Sequence, residues 1–139
     1  MTNGTYKVLE VDRPTVNERI YPRKIAEAMI ESVREKMNKR ELRGKQYDSE
    51  HYEAAMPWRE ASHLVVDLRI EDDWLVADVE VLDVPEGRVL AGLLSNKMAR
   101  FTTLCEGCVT NKVITDAVLI SVDWVCSRGT RVVCDGLRG

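Results

Sequence analysis

The sequence has few features of a protein that contacts membranes or nucleic acid. Acidic residues outnumber basic ones only 23 to 20, for a formal net charge of −3 at pH 7, so charge does not indicate nucleic-acid binding. No run approaches the roughly 18 apolar residues that a membrane-spanning helix needs. The first residues, MTNGTYK, lack the basic and apolar regions of a secretory signal. We therefore expect a protein made inside the cell that binds neither nucleic acid nor membrane.

Aromatic residues are also scarce, at 6% of the chain with a single Phe, whereas hydrophobic residues of all kinds make up 45%. The core must therefore consist mainly of aliphatic side chains. A chain of 139 residues is long enough to bury one such core, and no repeat or low-complexity segment divides it. We expect a single domain over residues 1–139.

The four cysteines all lie in the last third of the chain, at Cys105, Cys108, Cys126 and Cys134. Cys105-Glu-Gly-Cys108 has the gap that lets two thiolates bind one tetrahedral metal, but no second pair has this spacing. A four-cysteine zinc site, a disulfide and buried free thiols all remain open. Free thiols are the simplest interpretation, because reduced Cys is among the most buried residue types. We expect no metal and no cofactor.

Hydrophobic periodicity predicts several short strands and two helices. An apolar stripe predicts a helix at Pro22–Asn38, and a second, short helix follows the Pro85 and Gly87 turn. Period-2 alternation predicts strands, with a hairpin at Glu71-Asp72-Asp73. The predicted strands are Tyr6–Val11, Ala61–Ile70, Trp74–Val81, Arg100–Leu104 and Val118–Val125, with Arg131–Cys134 as a candidate last strand. This order favours an α+β domain built on a small, mostly antiparallel β-barrel with flanking helices.

Two further features bear on function. Tyr47–Glu60 has no sustained period and predicts a long loop, a kind of segment that is often functional. His51 lies in this loop, where it is either a general base or an exposed His without a role. Asp123 lies in a strand that is apolar on much of both sides, so its carboxylate needs a partner.

Four motifs in the chain have a familiar order and spacing. They are Asn17-x-Arg19-Ile20-Tyr21-Pro22, Ser62-His63, Leu82-Asp83-x-Pro85-x-Gly87 and Ser121-Val122-Asp123-x-Val125. With these motifs the sequence resembles the prohead core (head-maturation) protease family of tailed bacteriophages over about residues 6–126. The resemblance implies a fold like that of the herpesvirus assemblin proteases, which hydrolyse scaffold and capsid peptides with a Ser nucleophile and a His base.

The positions that the family uses for catalysis differ here. The family loop resembles Gly-Glu-x-x-His-Pro with His as the base, and the matching stretch starting at Gly44 has Asp48 at the position of that His. The family nucleophile lies in a motif like Ser-Ser-Arg-Gly, and the matching stretch is Leu104-Cys105-Glu106-Gly107. We take the first Ser of this motif as the nucleophile, and Leu104 stands at its position. Glu106 replaces the Arg, which reverses the charge beside the implied oxyanion site.

Two functional hypotheses follow. In the first, the chain is a catalytically inactive structural protein of a phage virion, a capsid decoration or minor capsid protein made in the host cytoplasm. It would bind the major capsid protein or other virion proteins as part of a larger assembly. In the second, it is an active maturation protease with Cys105 as nucleophile, His51 as base and Asp123 or Asp48 orienting the His.

Under the first hypothesis, the surface that recognises scaffold and capsid peptides in the family would be retained for binding. Such peptides are expected to lie extended beside a strand, a mode that depends on main-chain hydrogen bonds rather than on the nucleophile. We expect the contact region at the strand edge near Phe101–Leu104 and in the loop Tyr47–Trp58. The candidate side chains are large and amphipathic or flexible, as at many interface centres: Tyr47, Tyr52, Met56, Trp58 and Phe101.

Overall fold

Seven strands and two α-helices form the fold of residues 3–47, 58–126 and 135–138, the ranges that the computed structural model describes. The elements are β1 (Asn3–Glu10), α1 (Arg23–Asn38), β2 (Arg43–Gly44), β3 (His63–Glu71), β4 (Trp74–Val81), α2 (Pro85–Ser95), β5 (Ala99–Thr110), β6 (Val113–Cys126) and β7 (Asp135–Arg138). A short 3-10 turn, Trp58–Glu60, precedes β3. The predicted α+β class is confirmed.

The first sheet is antiparallel, with the strand order β1-β4-β3-β2. The predicted hairpin joins β3 to β4, where Glu71 pairs with Trp74 and Asp72 takes the positive φ of 55° that closes the turn. Alternation places the aliphatic side chains of β4 inward, so that Leu75, Ala77, Val79 and Val81 are buried.

The second sheet has the order β6-β5-β7. β5 and β6 are antiparallel and longer than predicted, with a hairpin at Asn111 and Lys112, whose φ values are 50° and 67°. Two irregularities in the pairing, at Leu104/Cys105 and Cys108/Val109, shift the side-chain alternation. Because these shifts interrupt the period-2 pattern, the sequence predicted only parts of both strands.

The two sheets meet at both ends to form a small barrel. The segment after β2 lies beside β6, where the N–H of Trp124 donates to the carbonyl of Lys45 (3.0 Å) and the N–H of Tyr47 donates to the carbonyl of Trp124 (2.9 Å). On the other side, β1 contacts β5, and the rings of Tyr6 and Phe101 lie 4.9 Å apart. This closure leaves one continuous core between the sheets.

The helices cover the sheets as their apolar stripes predict. Pro22 precedes the first turn of α1, which packs on β3 and β6 through the buried residues Ala26, Met29, Ile30, Val33 and Met37. α2 begins with Pro85 at its N-terminus and packs on β4 and β5, with Leu90 fully buried. In the ranges described, no helix has the length and apolar character needed to cross a membrane.

Several sequence predictions lie outside the described residues. They include His51, Tyr52, Met56, Asp48 and Cys134. The candidate strand Arg131–Cys134 also lies outside, and the last described strand, β7, begins directly after it. β7 runs parallel to its neighbour β5, whereas the sequence predicted a mostly antiparallel arrangement.

Candidate functional site

The strand β5 carries Leu104 and is enclosed on both edges at this residue. Leu104, which the sequence predicts at the family's nucleophile position, is 1% exposed. It pairs with Ser121 of β6 on one side and with Gly136 of β7 on the other. β7 pairs with Thr103–Glu106, so it covers the Thr103–Leu104 part of the strand edge at which we expected the contact region.

β7 is held in place by a cluster around the buried Asp135, which we call the Asp135 clamp: Asn17, Arg19, Tyr21 and Asp135. The Asp135 side chain is 0% exposed. Its Oδ2 accepts hydrogen bonds from Arg19 Nε (2.7 Å) and the Tyr21 hydroxyl (2.8 Å), and its Oδ1 accepts one from Asn17 Nδ2 (3.2 Å). The backbone carbonyl of Asp135 accepts two more, from Arg19 (2.9 Å) and Asn17 (2.7 Å).

The first of the four family-like motifs supplies the donors of this clamp. Asn17 lies in a turn in which the N–H of Glu18 donates to the carbonyl of Thr15 (2.9 Å) and Glu18 takes a positive φ of 62°, and Arg19 and Tyr21 follow this turn directly. The segment is held beside β6, where the N–H of Ile20 donates to the carbonyl of Lys112 and the N–H of Ile114 donates to the carbonyl of Ile20, both at 2.8 Å. Burial is the main cause that raises the pKa of Tyr21, with the charge of Asp135 adding to it, so the hydroxyl stays protonated and donates.

Cys105, the alternative nucleophile, lies in the core beside this clamp. It is fully buried, and burial raises the pKa of its thiol to about 12, with the negative charge of Asp135 adding to the effect. A nucleophilic Cys needs access to solvent and a lowered pKa. The environment of Cys105 has neither property.

Of the alternative catalytic set, the structure describes Cys105 and Asp123, and it does not bring these two residues together. Cys105 pairs with Leu119, whereas Asp123 pairs with Thr102. Asp123 lies four positions after Leu119, which corresponds to roughly 13 Å along the strand. His51, the third member, lies outside the described residues.

Asp123 is buried, and one partner for its carboxylate is found in the backbone. The N–H of Lys45 donates to its Oδ1 (3.1 Å), while Oδ2 has no hydrogen-bond partner among the described residues. Burial raises the pKa of Asp123 to about 7, although the Lys45 hydrogen bond acts in the opposite direction. Asp123 therefore helps to fix the segment after β2 on β6.

The Ser62-His63 motif forms a second buried link between the sheets. His63 donates from Nε2 to the carbonyl of Val122 (2.7 Å), which leaves Nδ1 to accept from the Ser62 hydroxyl (2.8 Å). Both residues are 0% exposed, and burial lowers the pKa of His63 to about 4. A Ser hydroxyl on a His nitrogen is the geometry of a catalytic pair, but here both side chains are buried and the second ring nitrogen is bonded to the backbone.

The interface candidates have different environments. Trp58 is 48% exposed, with the Arg43 guanidinium 4.3 Å from its ring centre. Phe101 was expected at the contact surface but lies in the core between Tyr6 and His63. Tyr47 lies against β7 at Gly136. Of the described candidates, only Trp58 presents a large exposed surface.

The described cysteines do not form a metal site. Cys105 is a buried free thiol, whereas Cys108 is an exposed one. Within residues 3–47, 58–126 and 135–138, no group of three or more His, Cys, Asp or Glu side chains could hold a metal ion.

The fold is similar to a solved structure of the bacteriophage T4 capsid assembly protease, gp21. The TM-score is 0.69 at 17% sequence identity, and the match covers 88% of this chain and 80% of that one. The similarity confirms the prohead-protease-like fold that the four motifs implied. No protein-family model matches the chain, and a search of curated proteins finds no match.

Proposed function

We propose that this chain is a catalytically inactive, prohead-protease-like structural protein of a phage particle, either a capsid decoration protein or a minor capsid protein. One observation carries the proposal. The position of the family nucleophile holds Leu104, which cannot attack a carbonyl and which lies buried between β6 and β7. The T4 capsid assembly protease has a similar fold, which supports a role beside capsid proteins.

The surroundings of the remaining candidate groups also support loss of catalysis. Cys105 is buried with a raised pKa, and His63 uses both ring nitrogens in buried hydrogen bonds. Glu106 is exposed at the position of the family Arg, where its charge would oppose an oxyanion. A protease would need to open this region and ionise a buried thiol.

The surface near Trp58 is the proposed contact with the major capsid protein or another particle protein. An exposed Trp stacked by Arg combines the residue types that are most enriched at interface hot spots. Glu60, in the same turn, lines a groove of about 320 Å³ together with the exposed Val89 of α2. Through this groove, the proposed contact surface gains the apolar side chain of Val89 next to the charged side chain of Glu60.

Quantitative mass spectrometry of purified mature particles tests the proposal. We expect a copy number commensurate with the capsid lattice. Trp58→Ala should lower that number, whereas Trp74→Ala should not, although Trp74 is also stacked by a cation, Lys7. Presence of the protein only in immature proheads would contradict the proposed role. Equal incorporation of both variants would contradict the proposed contact surface.

An activity assay tests the absence of catalysis separately. Purified protein should cleave neither itself nor the scaffold and major capsid proteins of its phage. Specific cleavage that disappears in Cys105→Ala would instead establish the maturation protease with Cys105 as nucleophile.

A further inference from the structure

The chain's own residues 135–138 lie in β7 as a bound peptide would lie on a strand edge. Asp135, Gly136, Leu137 and Arg138 pair in parallel with Thr103, Leu104, Cys105 and Glu106. An exposed strand edge offers its N–H and C=O groups to any extended segment, and the pairing itself does not depend on sequence. The side chains of such a segment must therefore provide its selectivity.

The first selective contact is for an acidic side chain. In the Asp135 clamp, the carboxylate of Asp135 accepts three hydrogen bonds and the backbone carbonyl of Asp135 accepts two. Among the three donor residues of the clamp, Arg19 is the cation. Hydrogen bonds from a charged donor to a carboxylate are about twice as strong as neutral ones. A neutral side chain of the same size would leave the half-buried guanidinium of Arg19 without its counter-charge and the buried Tyr21 hydroxyl with a weaker acceptor.

The second selective contact is for glycine at the next position. A Cβ on Gly136 would lie 2.5 Å from the Tyr47 hydroxyl oxygen and 2.9 Å from Leu104 Cδ1. Real Cβ atoms do not approach this closely, so a larger residue would have to displace the side chains of Tyr47 and Leu104. Leu137 then packs its aliphatic side chain against the core.

We propose that the β5 edge at Thr103–Glu106 and the side chains of Asn17, Arg19 and Tyr21 form a peptide-binding site. Its ligand is an extended segment of another protein that carries an acidic residue, then glycine, then an aliphatic residue. Residues 135–138 fill the site in this structure and must leave before the segment binds. This inference goes beyond the proposed function, because it depends only on the contacts of β7.

Peptide binding to full-length variants tests the site. Asp135→Ala removes the anchor of β7 but keeps the three donor residues. We expect it to bind a fluorescein-labelled peptide with the sequence of residues 133–139, with Ser in place of Cys134, at least ten-fold more tightly than the wild type does. The wild-type segment competes at the high effective concentration of a tethered ligand. Replacing Asp by Asn, or Gly by Val, in the peptide should each weaken binding at least ten-fold.

A folded Asp135→Ala that binds none of the peptides, or binds all three equally, would overturn the proposal. If this variant does not fold, the wild type is incubated with millimolar peptide that carries a photo-crosslinker. Labelling should then occur on β5 and residues 17–21, with competition by the Asp peptide and not by the Asn peptide. Labelling elsewhere, or equal competition, would also overturn it. None of these results depends on whether the protein is found in phage particles.

Discussion

Gly44 lies against the hydrogen bond that joins His63 Nε2 to the carbonyl of Val122. A Cβ on Gly44 would overlap both the His63 ring and the Val122 oxygen. The absence of a side chain at position 44 therefore lets His63 of one sheet reach β6 of the other. The Ser62 hydroxyl completes the link by donating to Nδ1, so the two motif residues and Gly44 act together to close the barrel.

Gly44→Ala should lower the free energy of unfolding by about 2 to 4 kcal/mol, because the methyl group overpacks the site and separates a buried hydrogen bond. Gly92→Ala is the matched control. Nothing lies within 4 Å of a Cβ on Gly92, which is in α2, so its replacement should stabilise by about 0.5 to 1 kcal/mol. Urea unfolding of both variants measures the difference, and equal effects would contradict the role of Gly44.

The sequence predicted the elements whose signals are local. The apolar stripe placed α1 to within one residue, and the Asp72 turn was found from its polar residues. The expected need of Asp123 for a partner was met by a backbone N–H from Lys45, which no side-chain pattern indicates. The link between Arg19 and Asp135 spans 116 residues, so it has no signal in local periodicity. The parallel pairing of β7 was missed for the same reason.

The stability of the protein should depend on pH through two buried groups with opposite effects. The pKa of His63 is lowered to about 4 from 6.5, so the unfolded chain binds more protons between these values and stability rises with pH. The pKa of Asp123 is raised to about 7 from 3.8, so the folded chain binds more protons and stability falls as pH rises. Between about pH 4 and 6.5 the two contributions oppose each other, each with a slope of about 1.4 kcal/mol per pH unit.

Single substitutions should separate these two contributions. Relative to the wild type, Asp123→Asn should gain stability as pH rises from 4 to 7, and His63→Gln should lose stability as pH rises from 4 to 6.5. Urea unfolding at half-unit pH steps gives the difference profiles. A flat difference for either variant would show that its buried group keeps its ordinary pKa.

The two cysteines of the Cys105-Glu-Gly-Cys108 sequence should differ strongly in reactivity. Cys105 is buried with a pKa of about 12, whereas Cys108 is exposed, and only the thiolate reacts with alkylating reagents. Under native conditions at pH 8, iodoacetamide should label Cys108 and leave Cys105 unmodified until denaturant is added. Peptide mass spectrometry distinguishes the sites. Native labelling of Cys105 at the rate of Cys108 would show an open site and favour the protease hypothesis.

Arg19 and Arg69 offer a comparison between a buried and an exposed ion-pair network. Arg69 bonds Asp67, Glu71 and Asp78 on the surface, where water and salt screen each pair. Arg19 bonds a carboxylate that is fully buried, so its loss leaves a charge without its cation. Arg19→Met should therefore cost about 3 kcal/mol of unfolding free energy.

Arg69→Met should cost much less than Arg19→Met, although Arg69 makes more ion pairs, and its smaller effect should shrink further in 1 M NaCl. Because guanidinium is a salt and would itself screen the ion pairs, unfolding is induced with urea, at low and at high NaCl concentration. Losses of equal size that respond equally to salt would mean that water reaches Asp135. In that case β7 would not be anchored by a buried carboxylate, and the selectivity for an acidic segment would lose its physical basis.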